Sequence, residues 1–241
     1  MKKCLLLLPL LALAVPAAAQ HTDIIGRAGA GLLRFGGENA QRVSSVYYFD
    51  GEKNGFTSTS YGGRLGAGIA LGGRVQRVAA QQGLLALDLG YEWLQSRTAV
   101  TAVDYAAFSY SSSRGGPYAA TGHTALQNQN LTVFLGLGRR FTAGIVEVDA
   151  LVGPEGAYVF DFREKGSGTY DGGKDWSTNR KYLKDSRGDV RLRADATAWV
   201  HRVGLNASYS YGLLNYYGKL TGAEPEAYSR TLRLGLAYQL R

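Results

Sequence analysis

The chain has 241 residues, 45% of them hydrophobic and 19% charged, which suits one sizeable folded domain and argues against wholesale disorder. Its formal charge of +8 is compatible with anionic lipid, but the arginines are spread through alternating segments without an RGG tract, a recognition-helix pattern or a dense basic run, so nucleic acid is excluded as a partner. A single cysteine, Cys4, excludes a disulfide framework and a thiolate metal cluster from the bulk of the chain.

Residues 1–19 read as an export signal. Lys2 and Lys3 give a basic start, Leu5 to Val15 an apolar run, and Ala17-Ala18-Ala19 a small-residue cleavage site that leaves Gln20 as the mature start. Cys4 precedes the apolar run, the wrong side for lipid modification. Without Lys2 and Lys3 there remain 25 basic and 19 acidic residues, a formal +6. No later stretch approaches the 18 or more apolar residues of a spanning helix.

From Asp23 onward the dominant period is two. The first strand is expected at 24–35, where glycine and alanine blur the alternation and Leu32-Leu33 suggests a bulge or change of face. The second, 57–71, sets Tyr61, Leu65, Ala67, Ile69 and Leu71 against Gly62, Arg64, Gly66, Gly68 and Ala70. The third, 84–96, sets Leu85, Leu87, Leu89, Tyr91 and Trp93 against Ala86, Asp88, Gly90, Glu92 and Leu94. Strands at 127–138 and 145–158 read as a hairpin. The sixth, 187–200, alternates Val190, Leu192 and Ala194 with Asp189, Arg191, Arg193 and Asp195. The last two, 203–214 and 228–240, finish with Leu232, Leu234, Leu236, Tyr238 and Leu240 on one face.

The connections alternate strictly in length: 72–83, 139–144 and 201–202 are short, whereas 36–56, 97–126, 159–186 and 215–227 are long. That rhythm predicts an all-β fold, an eight-stranded antiparallel up-and-down transmembrane β-barrel over 20–241, with periplasmic termini and turns and long extracellular loops. The polar faces settle which side is greasy. Arg64, Asp88, Glu92, Glu147, Asp149, Arg191, Arg193, Asp195 and Arg233 lie opposite the leucines, as in a narrow lumen filled by ion pairs. A soluble lipocalin-like barrel would reverse the two faces. Tyr61, Tyr91, Trp93, Tyr209, Tyr211, Tyr228 and Tyr238 are placed as headgroup-level girdles, and Arg230, on their face, at or above the outer boundary.

The long loops carry tyrosines that bind sugars or proteins, or simply extend the hairpins and cover one another. Lys174, Arg180, Lys181, Lys184 and Arg187 form a basic patch suited to lipopolysaccharide headgroups, or a solvated loop. For catalysis, His123 with Ser111, Ser112 or Ser113 and Asp104 is the imaginable nucleophilic site, as in a lipid A-modifying enzyme. Asp88 and Glu92 could divide acid and base work, but core pairing with Arg64 and arginines of other strands is the preferred reading. Asp161, Glu164 and Asp171 are spaced unlike a calcium loop. No catalytic, cofactor-binding or metal residue is assigned.

With its signal, strand rhythm and final alternating strand from Leu232 to Leu240, the chain resembles the PorT-like small outer-membrane β-barrel family and, more loosely, OmpX- and OmpA-type transmembrane domains. The resemblance implies insertion by the barrel-assembly machinery, although the chain ends in Arg241 where related barrels usually end in an aromatic residue. It also implies a surface or secretion-system partner of unknown identity. The expectation is a nonenzymatic outer-membrane barrel with a structural or surface-interaction role. The alternatives are a lipid A-modifying enzyme, a soluble ligand-binding barrel and a narrow channel.

Overall fold

The computed structural model describes residues 19–49, 54–106, 117–181, 188–217 and 225–240. Among the described residues eleven strands follow one another: β1 (Ala19–Gly36), β2 (Val43–Phe49), β3 (Phe56–Thr57), β4 (Arg64–Ala79), β5 (Gly83–Ala106), β6 (Tyr118–Ala143), β7 (Val146–Tyr170), β8 (Lys174–Lys181), β9 (Gly188–Val200), β10 (Val203–Gly212) and β11 (Tyr228–Gln239). Antiparallel pairing runs β1–β4–β5–β6–β7–β9–β10–β11, and β11 pairs back onto β1 from Tyr228↔Gly36 to Gln239↔Ile25. The result is an all-β, ring-like sheet of barrel-like architecture.

One end of the ring is made of tight turns. They lie at 80–82, 144–145 and 201–202, with Gln82 (φ 61°), Gly144 (φ 63°) and His201 (φ 56°) in the left-handed region that two- and three-residue hairpins require. At the other end β5, β6 and β7 run far past the ring, being 24, 26 and 25 residues long. Upon that extension β2 lies parallel to β5, β3 pairs with β2, and β8 folds back on β7 through Asp171, Gly172 and Gly173. Much of 97–126 and 159–186, expected to be loop, is therefore extended hairpin.

Three expectations from the alternation need correction. The second ring strand is Arg64–Ala79, not 57–71, and the turn expected over 72–83 shrinks to three residues. Glycines at 66, 68, 72 and 73 hide the period there, and a register shift between Leu65 and Ile69 breaks its phase. No bulge falls at Leu32-Leu33: Leu32 and Leu33 pair in unbroken register with Leu232 and Thr231, odd positions pointing inward throughout. Leu33 breaks the expected polar alternation because the interior itself turns apolar at that level.

Inside the ring, two small apolar clusters, Ile25–Trp199–Ala237 and Val78–Leu84–Ala86–Phe134–Leu151, sit among polar groups. Toward the extended end Leu33, Phe35, Leu94, Leu126, Phe162 and Tyr216 form an apolar layer, and beyond it Val46, Val100, Val103 and Trp176 fill the space between β2, β5 and β8.

Candidate functional site

Inward positions of β1, β4, β5, β6, β7, β9 and β11 assemble a continuous ionic core. Near the turns, Arg140 donates to Asp149 at 2.7 Å and to Asp23 at 2.9 Å, while Gln76 and Trp199 donate to Asp149 at 2.8 and 2.9 Å. In the middle, Arg74 bridges Asp88 (2.6 Å) and Asp195 (2.8 Å), Arg27 reaches the same two carboxylates, and Arg193 pairs with Asp195 and with Glu155 at 3.3 Å. Higher up, Arg191 holds Asp189 (2.7 Å), Glu155 (3.2 Å) and Glu92 (3.4 Å), and Arg233 pairs with Glu92 and with Glu155 at 2.9 Å. Six guanidinium groups thus meet seven carboxylates, so the charge nearly cancels within the wall. Such pairs are stable only when most lone pairs and protons find partners; a single deletion leaves an uncompensated charge in a poorly hydrated space.

Above the ionic core the Tyr216 hydroxyl donates to Asp189 at 2.9 Å, and its ring stands edge-on to Phe35 at 5.0 Å. Burial, reinforced by the Asp189 carboxylate, pushes the Tyr216 phenol well above its ordinary range, which keeps it a donor. Tyr61 joins this layer, 5.0 Å from Phe35 and 4.7 Å from Tyr217, with its hydroxyl donating to the Tyr216 carbonyl at 3.1 Å. It therefore belongs to the inner apolar layer and not to an outer girdle.

The outer face has the opposite chemistry. Leu71, Leu87, Leu89, Leu131, Leu137, Leu205, Leu234 and Leu236 are all exposed, Leu89 to 60% and Leu205 to 67%. On β4 this band runs from Leu65 to Val75, and ten residues at a strand tilt of about 40° span roughly 25 Å. Its edge toward the extended hairpins carries Trp93, Tyr158, Phe160, Tyr209 and Tyr211, all more than 40% exposed, with Tyr91 6.1 Å from Phe160. Tyr238 stands at the turn edge, where it pairs with Val203. Arg230 caps the band: its guanidinium lies 3.4 Å from the Tyr211 ring centroid and donates to the Gly212 and Ser229 carbonyls.

The sequence placed Asp88, Glu92, Asp149, Arg191, Arg193, Asp195 and Arg233 on the inner face, and all seven are buried there. Arg64 is not among them. The register shift in β4 turns it outward, where it is exposed opposite Arg97. Glu147 sits at the rim, 46% exposed and 3.4 Å from Arg140. Missed by the sequence were Arg27, Arg74, Arg140, Asp23 and Glu155. Arg74 and Arg140 fell in segments taken for turns, and Arg27 in the glycine-blurred first strand. Only a phase carried outward from Asp149, odd residues inward, would have picked out Glu155.

The catalytic candidates are not brought together. His123 is exposed on the outer face of β6 opposite Ala99, and Asp104 lies five residues farther along β5, roughly 16 Å away along the strand. Ser111, Ser112 and Ser113 lie outside the described residues. Asp88 and Glu92 are each tied to arginines, and Arg64 is not one of them. Asp161 faces outward 3.5 Å from Lys181, Glu164 is buried and accepts from Thr57 at 2.6 Å, and Asp171 holds Lys174 at 2.6 Å at a hairpin tip. The Asp171 carboxylate raises the Lys174 ammonium above its ordinary range. Among the described residues no three His, Cys, Asp or Glu side chains group to hold a metal ion. The basic patch is also divided: Lys174 is paired at the tip, Arg180 lies over the Phe56 ring at 5.3 Å, Lys181 faces outward, and Lys184 and Arg187 lie outside the described residues.

No family model matches the chain, and no curated protein matches its sequence. Among solved structures it bears a distant likeness to Neisserial surface protein A (NspA), at 12% identity and a TM-score of 0.35, over 92% of this chain and 100% of that one.

Proposed function

We propose that this chain is a nonenzymatic, eight-stranded outer-membrane β-barrel whose role is structural or a surface interaction, exercised through the extended β5–β6–β7 end. The carrying observation is the inversion of its two faces. A water-soluble barrel gains its stability by turning leucines inward; here the leucines face out in a band about as tall as a bilayer's hydrocarbon core, while paired charges fill the inside. Buried guanidinium–carboxylate layers and the Phe35–Tyr216 layer above them also disfavour a conducting lumen. The tight-turn end with both chain ends corresponds to the periplasmic side in this reading, and the extended hairpins to the outside. The alternating final strand supports insertion by the barrel-assembly machinery, the part of the PorT-like resemblance on which this reading draws.

The test is electrophoresis of the native outer-membrane fraction with and without boiling. A barrel migrates as a compact species until heated. A soluble periplasmic protein with no heat-dependent shift would overturn the assignment in favour of a ligand-binding barrel.

A further inference from the structure

On the outer face, just beyond the aromatic edge, the strand register gathers cations that lie far apart in sequence. Arg34 faces Arg230 directly across β1 and β11, and Arg64 faces Arg97 across β4 and β5. Arg97 is followed around the ring by Ala125 and then Lys165, while one step below Gln127 is followed by Arg163 and Lys181. Arg34, Arg64, Arg97, Lys165 and Lys181 are exposed and Arg163 half-buried. Among the described residues the only ion pair these six form is Lys181–Asp161 at 3.5 Å.

This arrangement is unlike the interior, where every guanidinium has its carboxylate. Like charges directly opposite on one sheet face are destabilising, and here the pairing occurs three times, at Arg34–Arg230, Arg64–Arg97 and Arg163–Lys181. The small Ala125 between Arg97 and Lys165 leaves a notch about 10 Å wide between two cationic strands, since neighbouring strands lie about 4.8 Å apart. Beside it, His123, Lys165, Ser167 and Asn179 line an open depression. Trp93 lies four residues below Arg97 on the same face, which sets the cations roughly 10 Å above the aromatic edge at ordinary strand tilt.

We propose that this arc binds the phosphate groups of a phosphorylated acyl glycolipid of lipid A type, with its acyl chains lying on the exposed leucines below. The proposal rests on the outer-membrane reading. Continuity supplies the choice of ligand: one molecule must satisfy cations and, about 10 Å lower, an apolar band, and it must carry more than one anionic group to reach both Arg64–Arg97 and Arg163–Lys165. A soluble phosphate would satisfy only the first.

The full chain, purified in mild detergent and first checked for its heat shift, is titrated with bisphosphorylated lipid A, dephosphorylated lipid A and phosphatidylglycerol in mixed micelles. The paired variants are Arg64→Gln with Arg97→Gln, and Arg139→Gln with Arg202→Gln, which remove the same charge at the turn end. Bisphosphorylated lipid A should bind at least tenfold tighter than the other two lipids, and the first pair alone should abolish that preference while keeping the heat shift. Equal binding of dephosphorylated lipid A or phosphatidylglycerol, or equal loss in both variant pairs, would overturn the site while leaving the barrel intact. Absence of a heat shift in the unsubstituted protein would instead bring down the barrel reading, and the site with it.

Discussion

Arg74 and Asp195 are 121 positions apart in the chain and 2.8 Å apart in space, joined across the inside of the ring. The same guanidinium holds Asp88 on the adjacent strand at 2.6 Å, so one side chain ties β4 to its neighbour and to the far wall. Arg74→Leu should destabilise the protein by about 3–5 kcal/mol, because Asp88 and Asp195 lose a buried counter-charge that Arg27 and Arg193 only partly replace. Arg64→Leu, on the exposed face, should stay within about 0.5 kcal/mol. Urea unfolding in lipid vesicles compares the two.

The outer leucines give a prediction that separates the two environments. Leu89 is 60% exposed at the middle of the apolar band. In a bilayer Leu89→Arg should cost about 2–4 kcal/mol, falling toward zero for substitutions near either edge. In a water-soluble barrel an exposed leucine tolerates arginine freely. Unfolding midpoints of arginine variants at Leu89, Leu87 and Trp93 trace that depth profile.

Backbone approach makes a third prediction. Around Pro154, which has no N–H to donate, the β6–β7 pairs are interrupted between Phe134↔Glu155 and Leu137↔Val152. A Cβ on Gly138 would lie 1.8 Å from the Ala150 carbonyl oxygen, and one on Gly153 would lie 1.9 Å from that of Leu135. Neither contact can be relieved by a rotamer change. Gly138→Ala should therefore cost about 1–3 kcal/mol, whereas Gly26→Ala, which meets nothing within 4 Å, should be neutral or slightly stabilising.

Tyr216→Phe removes one of the donors to Asp189 and should cost about 1–3 kcal/mol at neutral pH. The folded-state phenol titrates above the unfolded one, so its contribution is complete below about pH 10 and fades as pH rises beyond that. The difference in urea midpoint between the two proteins should accordingly be flat from pH 6 to about 9 and shrink in stronger alkali.

Sequence pattern revealed the ring where apolar residues alternate with charged ones, as along Asp189–Val200 and Leu232–Leu240. It failed where glycine occupies both faces, and so β4 was displaced and Arg74 lost to a supposed turn. The extensions of β5, β6 and β7 were hidden for a different reason: beyond the aromatic edge the outer face turns polar, as at Arg97, His123 and Lys165, while the inner face mixes apolar Val100, Leu126 and Phe162 with polar Thr98, Thr124 and Glu164, so no steady contrast marks the period. The outward cationic arc was not legible at all. Arg64 and Arg97 meet only through register, which depends on the shift between Leu65 and Ile69.

The three tryptophans offer the most direct check on which face meets lipid. Trp93 is 45% exposed on the apolar band, whereas Trp176 and Trp199 are 1% and 3% exposed within the interior. With the protein in vesicles of brominated phospholipid, fluorescence quenching should fall mainly on Trp93 and largely vanish in Trp93→Phe. Equal emission in brominated and ordinary vesicles, or quenching undiminished by Trp93→Phe, would contradict the account.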